Sequence, residues 1–122
     1  MRKKLTSLGL AKAAARAADD KKALDIVVLG LGEENDLADY FVLATVESTS
    51  QMGAVESSVE EALREAGSRP LHRDGMTRSR ARWMVLDYGS IMVHVFLPEA
   101  RDLYRLDKLW EEAKTVRWEK SK

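Results

Sequence analysis

Residues 40–67 read YFVLATVESTSQMGAVESSVEEALREAG, and their hydrophobic pattern changes once, near Ser48. Tyr40 to Val46 is almost uniformly apolar, as expected of a strand covered on both faces. Ser48 with Gln51 three residues on makes a capping-box pattern. Met52, Val55, Val59, Ala62, Leu63 and Ala66 then recur at helical spacing until Gly67 supplies a stop. A buried strand followed by a capped amphipathic helix belongs to an α/β layer, so this helix is expected to cover a sheet.

Upstream, residues about 4–22 are rich in alanine and lysine, with Leu5, Leu8, Ala11, Ala15 and Ala18 as a thin apolar stripe, and predict an amphipathic helix. In LDIVVLGLG the run Ile26 to Leu29 is a second central strand, ended by glycines. Downstream, RPLHR is a short edge-strand candidate because Pro70 has no N–H for a ladder. RWMVL and IMVHVF flank DYGS, the glycine-containing turn of an antiparallel hairpin. Pro98 suits the first turn of a helix, which Leu103, Leu106, Leu109 and Trp110 continue to about Ala113, with a break near Tyr104. TVRWEKSK reads as a frayed tail. The expected fold is α/β: a single domain over residues 1–122, with a mixed β-sheet of about five strands flanked by helices. Its parts are the N-terminal helix at about 4–22, a core at about 24–113 and the tail at 114–122.

A chain of 122 residues with 45% hydrophobic content has enough material for one core. Twenty basic residues balance twenty acidic ones, so no bulk field drives it to nucleic acid or membrane, and any such attraction is local. The absence of cysteine excludes disulfides, thiolate metal sites and a cysteine nucleophile, and fits a reducing compartment. No stretch approaches the ~20 apolar residues of a membrane span. The expectation is a soluble cytoplasmic protein with no membrane contact.

Catalytic patterns are weak. Gly30 and Gly32 follow a strand, but Asn35 stands where a dinucleotide fingerprint needs its third glycine. Two-metal chemistry needs carboxylates alternating on a strand; Asp25, Asp39 and Asp87 each sit singly at a strand end, as turn or capping residues do. His94 shares a strand face with Met92 and Phe96 and reads as a core or interface histidine with its ring hydrogen-bonded. His72 is 22 positions away, and no triad partner stands at motif spacing from either histidine. No catalytic residue, metal site or cofactor is therefore assigned. Arg73, Arg78, Arg80 and Arg82 precede Trp83 with Asp74 to oppose them, a composition suited to RNA contact or to a solvated loop. Trp83 shares a face with Val85, opposite Met84 and Leu86. It is either a core residue or an interface anchor, since tryptophan and tyrosine dominate binding hot spots.

Together DIVVLGLG, ADYFVLATVESTSQMGAVESSVEEALREAG, PLHRDG, RWMVLDYGSIMVHVF and RDLYRLDKLW resemble, in order, the motifs of the ribosomal silencing factor family (RsfS, Iojap-related) across about residues 8–112. The resemblance implies a mixed sheet flanked by helices, similar to nucleotidyltransferases but without their catalytic carboxylates. It implies a binding protein, not an enzyme. Such a protein docks on the large ribosomal subunit through ribosomal protein uL-fourteen and sterically blocks joining of the small subunit. Translation is thereby repressed under nutrient limitation or in stationary phase. The implied contact residues are Trp83, Met84, Asp87 and Tyr88, with His94 beside them, in a monomer or weak homodimer. Asp87 would serve the partner as acceptor or fix the turn. The arginine-rich loop and Ser90, where an aspartate is frequent, depart from the family pattern, and Arg78, Arg80 and Arg82 are expected as an auxiliary contact to ribosomal RNA. Two rival readings are a nucleotidyltransferase-like enzyme, which would bind nucleotide with magnesium, and a general RNA-binding module, which would bind free RNA as well as it binds subunits.

Overall fold

The computed structural model describes residues 5–32, 38–74, 82–103 and 114–119. The helix α1 (Ser7–Asp20) starts where Thr6 is extended and its hydroxyl accepts the Gly9 N–H at 3.0 Å, the usual N-cap arrangement. It is shorter at both ends than the 4–22 expected. Its buried face is Leu10, Ala11, Ala14, Ala15, Ala17 and Ala18, a broader stripe than the spacing suggested. Alanine has no side chain beyond Cβ, so the helix axis can lie close to its neighbours.

The strands are β1 (Leu24–Gly30), β2 (Tyr40–Thr45), β3 (His72–Asp74), β4 (Trp83–Asp87), β5 (Ile91–Phe96) and β6 (Lys114–Val116), with α2 (Thr49–Glu65) and α3 (Pro98–Leu103) between them in sequence. They form one sheet in the order β3-β4-β5-β2-β1-β6. The β2/β5 pair is parallel and the other neighbours are antiparallel, so the sheet is mixed, as expected. The two most apolar runs lie centrally: β2 and β5 each have five of six residues buried.

Two further segments differ from the sequence reading, and a third falls partly outside the described residues. The strand expected in RPLHR begins at His72, beyond Pro70, and lies at the sheet edge, where a missing N–H upstream costs no ladder bond. The helix begun by Pro98 is described to Leu103; its expected continuation through Ala113 lies outside the described residues. Residues 114–116, read as the start of a frayed tail, add a sixth strand. They pair with the outer edge of β1, Val116 opposite Val28 and Lys114 opposite Gly30, and so satisfy backbone groups that would otherwise face only water. Beyond them, Trp118 packs on the core, and the Arg16 side chain donates from Nε to the Trp118 carbonyl at 3.2 Å.

Both helices α1 and α2 lie on one face of the sheet, over Val28, Val42, Ala44, Met84, Leu86, Val93 and Val95. The opposite face holds Leu29, Phe41, Leu43 and Phe96, with Ala100 of α3 packed on it. Each fully buried Val, Leu or Phe contributes ~1.5–3 kcal/mol relative to exposure. Gln51 joins the two helices. Ser48 Oγ accepts its N–H at 3.0 Å, its Oε1 accepts the Glu47 N–H at 2.8 Å, and its Nε2 donates to the carbonyls of Lys21 and Lys22 at 3.0 and 3.1 Å.

Candidate interaction surface

The β4–β5 hairpin positions the candidate residues. Because side chains alternate along a strand, Trp83, Val85 and Asp87 share one face of β4, and each is half-buried, while Met84 and Leu86 on the other face are 0% exposed. Trp83 sits opposite Phe96, and Val85 opposite His94. The face carrying Trp83 is the one without α1 and α2.

The hairpin turn is fixed by its own polar groups. Asp87 Oδ1 accepts the Gly89 N–H at 2.8 Å, an Asx-type turn. The Ser90 N–H returns to the Tyr88 carbonyl at 3.0 Å, and the Tyr88 N–H reaches the Ile91 carbonyl at 2.9 Å. Gly89 has φ +83°, a conformation that costs a residue with Cβ. A Cβ added there would also stand 3.3 Å from Leu71 Cδ1. The Ser90 carbonyl accepts the N–H groups of Asp39 and Tyr40, tying the turn to the start of β2. Of the two roles foreseen for Asp87, the structure displays the turn-fixing one.

The expected contact residues are not all brought together. Met84 is fully buried under the helix layer, so its side chain is a core group and cannot be a direct contact, which corrects the expectation. Tyr88 belongs to the same helix-side cluster and is 7% exposed, leaving little of its ring for a partner. His94 is 4% exposed and is likewise no direct contact. Phe41 and His94 have ring centroids 4.6 Å apart, His94 and Phe96 6.2 Å, Trp83 and Phe96 6.0 Å, and Trp83 and His94 5.8 Å in a stacked arrangement. The indole N–H of Trp83 donates to His94 Nδ1 at 3.1 Å. Burial holds the His94 pKa down, from 6.5 to about 4, because a cation there would lose its hydration.

Sequence reasoning missed Phe41 and Leu71. Phe41 stands beside Met92 only through the parallel β2/β5 register, which strand periodicity does not reveal. Leu71, 65% exposed, lies against Gly89 because its N–H bonds the Asp87 carbonyl at 2.6 Å. Of the arginines, Arg82 is exposed and faces Glu99 at 3.8 Å, a surface pair worth little. Arg78 and Arg80 lie outside the described residues. Asp25, Asp39 and Asp87 stand apart, on β1, before β2 and on β4; Asp39 accepts the Ser7 hydroxyl at 3.1 Å. Among the described residues no group of three His, Asp or Glu could hold a metal ion, and no helix is long and apolar enough to cross a membrane.

Comparison with known proteins places the chain as a whole. Residues 4–122 match the family model described as "Ribosomal silencing factor during starvation". The chain is 34% identical over 110 residues to ribosomal silencing factor RsfS of Halalkalibacterium halodurans, covering 90% of this chain and 92% of that one. It is 36% identical over 102 residues to the RsfS of Bacillus subtilis, covering 84% and 85%. Over 111 residues it is 31% identical to the chloroplastic protein Iojap of Zea mays, covering 89% of this chain and 46% of that protein. A crystal structure of a Chromobacterium violaceum protein superposes with a TM-score of 0.81 at 32% identity, over 88% of each chain. One from Bacillus halodurans superposes with a TM-score of 0.74 at 32% identity, over 88% of this chain and 96% of that one.

Proposed function

The chain belongs to the ribosomal silencing factor (RsfS) family, and from that premise we propose that it binds the large ribosomal subunit through ribosomal protein uL-fourteen. Bound there, it sterically blocks the small subunit and represses translation in the cytoplasm under nutrient limitation. The action is occlusion, with no bond made or broken.

The observation that supports this reading is the half-buried Trp83, held on the face without α1 and α2, at the open end of the hairpin whose turn Asp87 and Gly89 fix. An aromatic held in place on a preformed hairpin loses little conformational freedom on binding, which favours affinity. The proposed contact comprises Trp83 and the Asp87–Ser90 turn, with the exposed Leu71 beside it. Met84 supports the strand from below. Arg78, Arg80 and Arg82 are proposed to add a contact to ribosomal RNA, so neutralising them should flatten the salt dependence of binding.

Co-sedimentation with isolated large and small subunits tests the proposal, with subunit joining scored in the same gradient. Binding to large subunits alone and fewer joined ribosomes are the expected results. An interface of ordinary size buries ~800 Å² per partner, and truncating a central tryptophan costs ~2 kcal/mol, about thirtyfold in affinity. Trp83→Ala should therefore weaken binding while unfolding remains cooperative. Equal binding to both subunits, or none, would reject the proposal.

A further inference from the structure

We propose that His94 is the positioning residue of the Trp83 anchor: its Nδ1 accepts the indole N–H and fixes the ring's orientation without itself touching the partner. This rests on the reading of Trp83 as a contact and assigns the side chain that makes the contact rigid.

The chemistry leaves one arrangement. An indole nitrogen can only donate, so at 3.1 Å the facing Nδ1 must carry a lone pair and the proton of the neutral ring must sit on Nε2. The ring is 4% exposed and packed between Phe41, Trp83 and Phe96. None of these carries a charge to stabilise an imidazolium, which agrees with the depressed pKa. The strand register enforces the meeting: Trp83 lies opposite Phe96 and Val85 opposite His94, so the indole reaches diagonally across the pair to the imidazole. A half-buried tryptophan has several rotamers open to it. A stacked imidazole that also accepts its N–H selects one, and part of the ordering cost of binding is met in advance.

The test combines spectroscopy with binding. In the wild-type protein, imidazole ¹⁵N shifts should identify the Nε2-protonated tautomer, and Trp83→Phe should move the Nδ1 resonance. A proton on Nδ1 would overturn the proposal without any variant. The indole N–H signal of Trp83, assigned by its loss in Trp83→Phe, should exchange slowly with water. His94→Leu should make it exchange rapidly, and His94→Asn, whose Oδ1 can stand near the Nδ1 position, should keep part of the protection. Affinity for large subunits should fall about three- to tenfold in His94→Leu, as a net hydrogen bond is worth ~0.5–1.5 kcal/mol. Trp83→Phe, which keeps an aromatic ring but lacks the donor, should show a similar loss, and the double variant should be no weaker than the weaker single one. Losses that add fully, or indole exchange unchanged in His94→Leu, would overturn the proposal. Wild-type affinity in Trp83→Ala would instead reject Trp83 as the contact, and the tautomer and exchange measurements distinguish that result.

Discussion

Trp118 donates its indole N–H to the carbonyl of Ile26 at 3.2 Å, beside the place where the β1–β2 register slips between Leu24 and Val27. Continuing the β6 ladder would put residue 118 opposite residue 26. The chain has left the strand by then, and the indole supplies the donor in place of a backbone N–H. Trp118→Phe should keep much of the packing and lose the bond, lowering stability by about 1 kcal/mol. Trp118→Ala should cost roughly 2–3 kcal/mol, below the range for a fully buried tryptophan because this one is half-buried. Urea unfolding of the two variants separates the hydrogen bond from the packing, and a Trp118→Phe midpoint equal to wild type would mean packing alone docks the segment.

The joint between helices gives a second expectation. Gln51 spends its side-chain oxygen on the Glu47 N–H and its nitrogen on Lys21 and Lys22, so one residue caps α2 and holds the end of α1. Gln51→Ala should destabilise by about 1–2 kcal/mol, the value of one to two net hydrogen bonds. Gln51→Glu keeps an acceptor for Glu47 but presents a carboxylate to two carbonyls, and should recover little. Full recovery in Gln51→Glu, measured by thermal unfolding, would show that the bonds to Lys21 and Lys22 contribute nothing.

Much of this was legible in the sequence for specific reasons. The continuous apolar run of β2 announced a strand covered on both faces, and Ser48 with Gln51 marked where α2 starts. The second use of Gln51 was not legible, since its partners lie 29 and 30 residues away. The sixth strand was missed because KTV is short, and its pairing depends on the free edge of β1. For the site, alternation on β4 correctly set Trp83 apart from Met84. Including Met84 and Tyr88 among direct contacts followed the motif and not the face, and burial under the helices shows why that fails for Met84. The pairing of Trp83 with His94 needs the β4/β5 register, which the hairpin turn implies only to within a residue or two.

Gly89 carries a third expectation. Its φ of +83° and the nearness of Leu71 Cδ1 penalise a side chain independently, one through the backbone and one through contact. Gly89→Ala should lower stability by ~1–3 kcal/mol and loosen the turn that Asp87 holds. The Leu71→Ala background removes the contact and leaves the backbone strain, so part of the loss should return in the double variant. If the double variant shows purely additive losses in denaturant unfolding, the contact is immaterial.

The buried imidazole makes stability depend on pH. With a pKa of about 4 in the folded protein against 6.5 as the ordinary value, the unfolded chain binds a proton between those limits that the folded chain refuses. Stability therefore falls as pH drops from about 6.5 towards 4, and the full difference corresponds to about 3 kcal/mol. Among the described residues the rings packed on His94 belong to Phe41 on β2, Trp83 on β4 and Phe96 on its own strand, and none of them titrates in that window. Carboxylates elsewhere also lose stability in acid, so the informative quantity is a difference between proteins. His94→Asn should be less stable than wild type near pH 7, because a cavity replaces the ring, yet lose less on acidification, and the gap between the two should narrow by about pH 4.5. Parallel losses of stability in the two proteins would mean that folding does not lower the His94 pKa.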